Sequence, residues 1–533
     1  MARIETMSYD FPGMRKDGSI YVDKTQVMYD LIVSAPTVGL YFVSRPRRFG
    51  KSLMISTLDS IFRGRKELFE GLAIAQTDYD WAVHPILRFD FSRVTTTSLE
   101  AFKDSFKTRV LDSLQRAGAT IYSEKDVGVN FERAMRELSQ KHGCGVVVLV
   151  DEYDAPIGHA LHDVELAEAI RAEMANFYIQ LKANIECVRF LMMTGVSKFS
   201  QVSVFSALNN ITDLTLDARA ATMLGYTEEE LERYFREPME AHAKVMGLDY
   251  DTYREQLRFW YNGYHFARYR LAPQYAVYNP YAISRTLSQQ EPYFSATWTS
   301  TGQPSMLANY LKREELVKRD YENVTVMNEG RMAATNLRNL SGTALLFQAG
   351  YLTIKDYDPD EGYTLGVPDE EVRRSLLLLL TQCIAQKVDD EAWVDDTLKA
   401  LYSRDFGGFF NHLTALYADL PYGSTEKGSV PEASYLRLLY MLLRSRFSTL
   451  QVCYERSQTA ARPDLVFVHR KSVFIFELKV RREKPITDED ALAQIKEKDY
   501  AAALRSHNLP IYGIGLLFDN ATHTLIDYAA EEL

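Results

Sequence analysis

The sequence predicts a multidomain α/β protein: a parallel sheet flanked by helices and opening on a phosphate-binding loop, a helical and winged-helix middle region, and a second α/β domain at the C-terminus. Three observations carry this reading. Residues 40–53 read Leu-Tyr-Phe-Val-Ser-Arg-Pro-Arg-Arg-Phe-Gly-Lys-Ser-Leu, an apolar strand, a basic turn and the start of a helical pattern. Apolar strand-length runs then alternate with helical spacings to about residue 200, the mark of strands joined by crossover helices. Residues 462–479 hold two apolar runs joined by a short polar turn, with an acid at the far end of each.

At 533 residues the chain exceeds a single core and fits three or four domains of roughly 150 residues each. The expected divisions are 1–225, 226–343, 344–420 and 426–533, with 421–429, Pro-Tyr-Gly-Ser-Thr-Glu-Lys-Gly-Ser, as the linker. The four cysteines, Cys144, Cys187, Cys383 and Cys453, stand singly, which argues against a disulfide framework or a zinc site and fits a reducing cytoplasm. No apolar run approaches the ~20 residues of a membrane span, and residues 1–10 lack a secretory pattern. Net charge is −11. The acidity is concentrated in residues 226–425, with 20 Lys and Arg against 29 Asp and Glu, whereas residues 426–533 balance at 15 against 15. Charge alone therefore does not call for nucleic acid as a partner, and leaves a locally basic groove open.

In chain order, residues 26–33 form an amphipathic helix, and Asp23 to Thr25 are read as its cap, with contact to a nucleotide base as the alternative role. Residues 40–43 suit a buried strand and 53–62 a helix. Between them Gly50 lets backbone N–H groups turn toward a phosphate, Lys51 offers a charge to the terminal phosphates, and Ser52 offers a hydroxyl to Mg²⁺. Five residues before Gly50, where the usual motif has another glycine, stands Arg45. A strand over 85–92 and helices over 99–117 and 129–141 follow. Residues 145–150 are continuously apolar, as a strand buried on both faces must be, and end on Asp151 and Glu152. An acid at that strand end holds the Mg²⁺ shell in nucleotide hydrolases, and the next polarises the attacking water. A further buried strand, 188–194, ends on the hydroxyl of Thr194, a candidate sensor of the terminal phosphate.

These segments resemble a known family. Tyr21-Val-Asp-Lys-Thr, Arg45-Pro-Arg-Arg-Phe-Gly-Lys-Ser, Leu149-Val-Asp-Glu-Tyr-Asp-Ala-Pro and Thr194-Gly-Val-Ser-Lys-Phe-Ser are similar to segments of AAA-ATPase-like proteins of gut and oral bacteria. The likeness continues through Trp260-Tyr-Asn-Gly-Tyr-His-Phe and Leu346-Phe-Gln-Ala-Gly-Tyr-Leu. It implies an AAA-type domain that binds ATP with Mg²⁺ or Mn²⁺. The implied nucleotide contacts are Arg45, Arg47, Arg48, Phe49, Gly50, Lys51, Ser52, Leu53, Asp151 and Thr194, with Glu152 catalytic and Ser52 and Asp151 on the metal.

Residues 226–340 read mainly as helix, with Thr227 capping a first turn of Glu228 to Glu230. Residues 344–367 read as helix, turn at Gly350, strand 351–357, turn 358–362 and strand 363–367, a winged-helix outline. Asp356, Asp358, Asp360 and Glu361 would repel phosphates from this wing, so it is expected to contact protein or pack on a neighbouring domain. Helices fill 369–418.

In the C-terminal region a four-residue turn, 469–472, closes Val468 opposite Val473, and the register then sets Asp464 across from Glu477 with Lys479 on their face. Two facing carboxylates repel unless a cation sits between them, and a divalent metal is the simplest such cation. With Lys479 beside it, the set suits metal-assisted phosphodiester hydrolysis. Pro463-Asp464 followed by Glu477-Leu-Lys479 resembles the PD-(D/E)xK nuclease superfamily, which implies a restriction-endonuclease-like domain. The resemblance adds Glu432 as an upstream metal ligand and Gln494 as a helix glutamine, while Tyr500, six residues on, falls on another helical face. The expectation is an ATP-binding, nucleotide-regulated, metal-dependent nuclease. Its alternative is a nucleotide-gated interaction scaffold whose nuclease-like domain binds without cutting, in either case with a protein partner or a second copy left open.

Overall fold

The computed structural model describes residues 3–5, 8–123, 126–198, 210–296, 298, 321–333, 337, 341–384, 391–418, 432–447, 452–454, 463–481, 486–522 and 524–533. The chain divides into two packing units, one of Met1–Ser295 with Tyr321–Asp369, the other of Ala296–Asp320 with Glu370–Leu533. The winged segment thus lies in the first unit and the helices after residue 369 in the second. The expected linker over 421–429 lies outside the described residues.

The first unit opens with α1 (Phe11–Lys16) and α2 (Thr25–Val33). Asp23 accepts the Thr25 N–H at 2.9 Å at the head of α2 and the Ala73 N–H at 2.7 Å, so this acid is built into a turn. The sheet strands are β1 (Gly39–Ser44), β2 (Ile86–Asp90), β3 (Val146–Asp151), β4 (Val188–Gly195) and β5 (Thr212–Asp213), in the order β2-β3-β4-β1-β5, all parallel. Every residue of β1 and β3 is buried, the burial their unbroken apolar runs require. Helices α3 (Lys51–Phe62), α4 (Leu99–Arg116), α5 (Val127–His142), α6 (Ala155–Ala160) and α7 (Val164–Ala183) alternate with the strands. An aromatic cluster of Phe89, Phe91, Phe106, Phe131 and Phe177 welds β2 to three of these helices, with ring centroids 4.5–6.3 Å apart.

Beyond the sheet, α8 (Glu228–Met246) starts on the expected capping box of Thr227 and Glu230, and α9 (Tyr250–Tyr261) packs against it. The aromatic segment 260–266 forms β6 (Asn262–Tyr264), which pairs with β7 (Val277–Tyr278) ahead of α10 (Pro280–Leu287). Its tyrosines serve packing: the Tyr264 hydroxyl donates to the Gly350 carbonyl at 2.8 Å, and that of Tyr278 to Glu228 at 2.6 Å. The winged module comprises the helix Gly342–Gln348 and the hairpin of β9 (Thr353–Asp358) with β10 (Gly362–Gly366). β8 (Val324–Val326) joins this sheet as a third strand that the sequence pattern did not mark.

The second unit packs helices Glu370–Ile384, Glu391–Tyr402, Phe406–Ala418 and Glu432–Arg444 around a five-stranded sheet. Its strands are β11 (Val452–Tyr454), β12 (Leu465–His469), β13 (Ser472–Arg481), β14 (Ile511–Asp519) and β15 (Thr524–Glu532), in sequence order. β13 and β14 run parallel because the helix Asp488–Glu497 crosses between them, and the other pairs are antiparallel. A fully buried pair, Arg444 on Glu370 at 3.1 Å, ties two of the helices together. No helix among the described residues is long and apolar enough to cross a membrane.

Candidate functional sites: a phosphate loop and an acidic hairpin

The first site forms where β1 hands over to α3. Gly50 has φ +93°, a left-handed conformation that glycine adopts freely, and caps α3 so that the helix opens on Lys51 and Ser52. The free N–H groups of that first turn and the helix dipole favour an anion here. Lys51 is buried at 4 % exposure. Its ammonium donates to the Arg45 and Pro46 carbonyls at 3.1 and 3.2 Å and stands 3.5 Å from Glu152.

Parallel pairing of β3 with β4 carries Asp151 alongside Thr194, whose hydroxyl donates to Asp151 at 2.5 Å. The Ser52 hydroxyl also bonds Asp151, and burial raises that carboxyl's pKa against the pull of these two hydroxyls. Ser52, Asp151 and Thr194, drawn from three elements, thus share one cluster. A hydroxyl and a carboxylate meeting at a helix N-terminus fit the donor set of a nucleotide-bound Mg²⁺. Glu152 follows at φ +51°, a left-handed conformation unusual for a side-chain-bearing residue, and faces Lys51.

The basic loop divides in two. Arg48 also takes a left-handed turn, φ +64°, and stacks its guanidinium 3.9 Å above the Tyr281 ring, leaving one buried nitrogen, Nη1, without a hydrogen-bond partner. Arg47, half-buried, adds a positive charge that, after burial, depresses the His159 pKa. Leu53 is half-buried on α3. Arg45 and Phe49 depart from the expected nucleotide contacts. Arg45 is 1 % exposed and donates to the carbonyls of Ser44, Thr215 and Ala220 at 2.7–2.9 Å, with its guanidinium 4.2 Å over Phe266. Burial pushes its pKa down to about 9, against the opposing charge of Asp213. Phe49 packs edge-on against Tyr264 and Phe266. Both are core residues of the loop, because the position a glycine would have left open is filled by a guanidinium that satisfies carbonyls.

The second site lies on the β12–β13 hairpin. Val468 pairs with Val473 as the register argument requires, but His469 and Ser472 pair as well, so the turn is two residues, Arg470-Lys471, tighter than the four expected. Asp464 immediately precedes β12, and its carboxylate accepts the Leu478 N–H at 2.8 Å, which brings it onto β13 beside Glu477. Glu477 is 2 % exposed. Burial first, then the charge of Asp464, pushes its pKa up to about 7, while Lys479 pulls the other way. Burial likewise raises that of Asp464, opposed by the Leu478 N–H, Lys479 and Lys498.

Lys479 touches Glu477 Oε1 at 3.1 Å and donates to Gln494 Oε1 at 2.7 Å, and the Gln494 amide donates to the same Glu477 oxygen. Glu477 Oε2 is buried with no partner, so the lysine answers one oxygen of the pair and leaves the other open. An orphaned carboxylate oxygen beside a second acid fits a hard divalent cation. No third acid, histidine or cysteine gathers with them among the described residues. Glu432, the expected further ligand, opens the helix Glu432–Arg444, and its side chain lies outside the described residues.

Gln494 reaches this cluster because its helix lies close on the sheet. Gly515, paired with Glu477 across β14, makes room: a Cβ there would stand 2.6 Å from the Asp488 carbonyl and 2.9 Å from the Ala491 methyl. Tyr500 corrects the helical-face argument. The helix ends at Glu497, the chain turns through Asp499 at φ +43°, and the Tyr500 hydroxyl comes within 3.3 Å of the Gln494 amide. Helical periodicity stops applying three residues before the tyrosine, which is why spacing alone misplaced it.

Comparison with known proteins finds a family for each of the two regions that hold these sites. Residues 7–205 match the family described as "Predicted AAA-ATPase", and residues 430–528 match the "PD-(D/E)XK nuclease superfamily". A protein of Azotobacter chroococcum mcd 1, described as "Uncharacterized protein in vnfD 5'region", is 32% identical over 524 residues, covering 97% of this chain and 96% of that protein. The phosphate loop, the acidic hairpin and an alignment spanning nearly both chains place this protein in one family with the Azotobacter relative, as an AAA-ATPase-like protein ending in a domain of the PD-(D/E)XK nuclease superfamily.

Proposed function

We propose that the protein binds and hydrolyses ATP with Mg²⁺ or Mn²⁺ at the phosphate loop, and cleaves phosphodiesters with a divalent cation at the acidic hairpin, the nucleotide state governing cleavage. The observation that carries the nuclease half is the buried, unpartnered Oε2 of Glu477 beside Asp464. In this reading Asp464 and Glu477 hold the cation, Lys479 stabilises developing charge or orients water, and Gln494 fixes Glu477 and Lys479 in place. At the loop, Lys51 and Arg48 meet the phosphates, Ser52 and Asp151 hold the cation, Thr194 senses the terminal phosphate and Glu152 polarises water.

The test is purified protein incubated with single- and double-stranded DNA and with RNA, with Mg²⁺ or Mn²⁺, with and without ATP. Cleavage that Asp464→Ala abolishes supports the reading. Absence of cleavage under every condition, with Asp464→Ala indistinguishable from the parent, refutes it. One ion pair favours a second reading, a nucleotide-gated scaffold that binds without cutting: Lys479 already pairs with Glu477 at 3.1 Å. ATP binding without phosphate release, together with a partner protein that binds the parent chain but not Lys51→Ala, would support that alternative.

A further inference from the structure

Asp154 sits three residues beyond Asp151, at the residue that caps α6, where an aspartate ordinarily accepts N–H groups of its own helix. It makes no such bond. Its carboxylate is 4 % exposed and reaches across to the exit of β4. There it accepts the Val196 N–H at 3.2 Å, the Ser197 N–H at 2.6 Å and the Ser197 hydroxyl. The approach depends on Gly195, since a Cβ at that position would stand 2.5 Å from Asp154 Oδ1 and from the Tyr153 ring.

Tyr153 makes the other half of the clamp. Its N–H donates to the Thr194 carbonyl and its hydroxyl to the Ser197 carbonyl, both at 3.0 Å. Residues 194–197 are therefore held on both sides by the two residues that follow Asp151 and Glu152. The Thr194 hydroxyl on Asp151 is the chemical end of this clamp. At its other end the Lys198 N–H donates to Gln348 of the winged module at 3.3 Å.

We infer that Asp154 is a positioning residue for ATP hydrolysis: by gripping residues 196–197 it keeps the Thr194 hydroxyl on Asp151 and so holds sensor and acids in one geometry. The inference rests on the reading of the loop as an ATP-hydrolysing site. A buried carboxylate with three donors is worth this role because charge-assisted bonds are short and directional, and small misplacements of catalytic groups reduce turnover steeply. Asp154→Asn keeps the shape but turns an N–H₂ group toward backbone N–H donors, loosening the grip without removing any group that would meet the nucleotide.

The experiment uses the full chain with Mg·ATP. Calorimetry gives affinity and the number of sites that bind, and phosphate release gives turnover per bound site. For Asp154→Asn the expected result is an unchanged number of sites, affinity within about twofold, and turnover per bound site lower by roughly tenfold. A variant that binds at fewer sites but turns over normally at each is merely less stable, and overturns the inference. If Asp154→Asn does not fold, Ser197→Ala decides: it removes one donor, turnover per bound site should fall about threefold, and parental turnover overturns the inference. A parent chain that binds ATP without releasing phosphate overturns the hydrolysis reading itself, whereas parental turnover in both variants overturns only the role of Asp154.

Discussion

Replacing Glu477 by glutamine tests the acidic hairpin through stability as well as activity. The folded chain holds the Glu477 proton up to about pH 7, against 4.5 for an ordinary glutamate, because burial and Asp464 both oppose its charge. Between those values the folded state binds more protons than the unfolded one, so the contribution of this group to stability is full on the acid side and is lost as pH rises. The whole shift corresponds to about 3 kcal/mol, of which about 2 kcal/mol falls between pH 5.5 and 8. Lys479, whose side chain is 23% exposed, marks a partly open mouth, and solvent screening there lowers the effect to the order of 1 kcal/mol. In a unit of this size that is about 2–4 °C. Glu477→Gln removes the titration, so in EDTA the parent should lose roughly that much more melting temperature than the variant between pH 5.5 and 8. Mn²⁺ at pH 8 should restore the parent, by about 2.7 kcal/mol at a hundredfold excess over Kd, and leave the variant unmoved. Calorimetric melts at the two pH values, with EDTA and with Mn²⁺, measure both effects. Equal losses in parent and variant, with equal Mn²⁺ shifts, would refute the argument that the two acids are held for a cation.

Three further outcomes follow from the geometry. Lys51→Ala should weaken Mg·ATP binding at least about tenfold, the worth of one charge-assisted hydrogen bond, as read by titration calorimetry; unchanged affinity would place the phosphates elsewhere. Arg45→Ala should act on stability instead: it removes one donor from each of three buried carbonyls, of which that of Ala220 keeps the Met223 N–H, and should destabilise the first unit by on the order of 2 kcal/mol, lowering its melting temperature while ATP affinity of the folded protein stays within about threefold. Tyr500→Phe removes a hydroxyl from Gln494 and should slow cleavage about fivefold at unchanged melting temperature; cleavage at the parental rate would mean that the ring only packs.

The elements that carry chemistry are legible in the amino-acid order. The unbroken apolar runs of β1 and β3 announce strands buried on both faces, and Gly50-Lys51-Ser52 and Asp151-Glu152 stand at their ends, because backbone periodicity and turn chemistry are local properties. The hairpin register is legible for the same reason: a two-residue period fixes which side chains share a face, and Val468 meets Val473 as it must. Long-range packing settles what depends on chain direction after an element ends. It turns Arg45 inward onto three carbonyls, since a buried loop must satisfy its own acceptors and no spacing rule says which side chain will do it. It returns Tyr500 to Gln494 through a left-handed Asp499, a turn that helical periodicity cannot anticipate. It also sets Asp154 against the exit of β4, where only a glycine at 195 lets the two segments touch. Local pattern is fixed by the backbone's few soft dihedrals, whereas the closure of one segment on another is settled by which buried polar groups find partners.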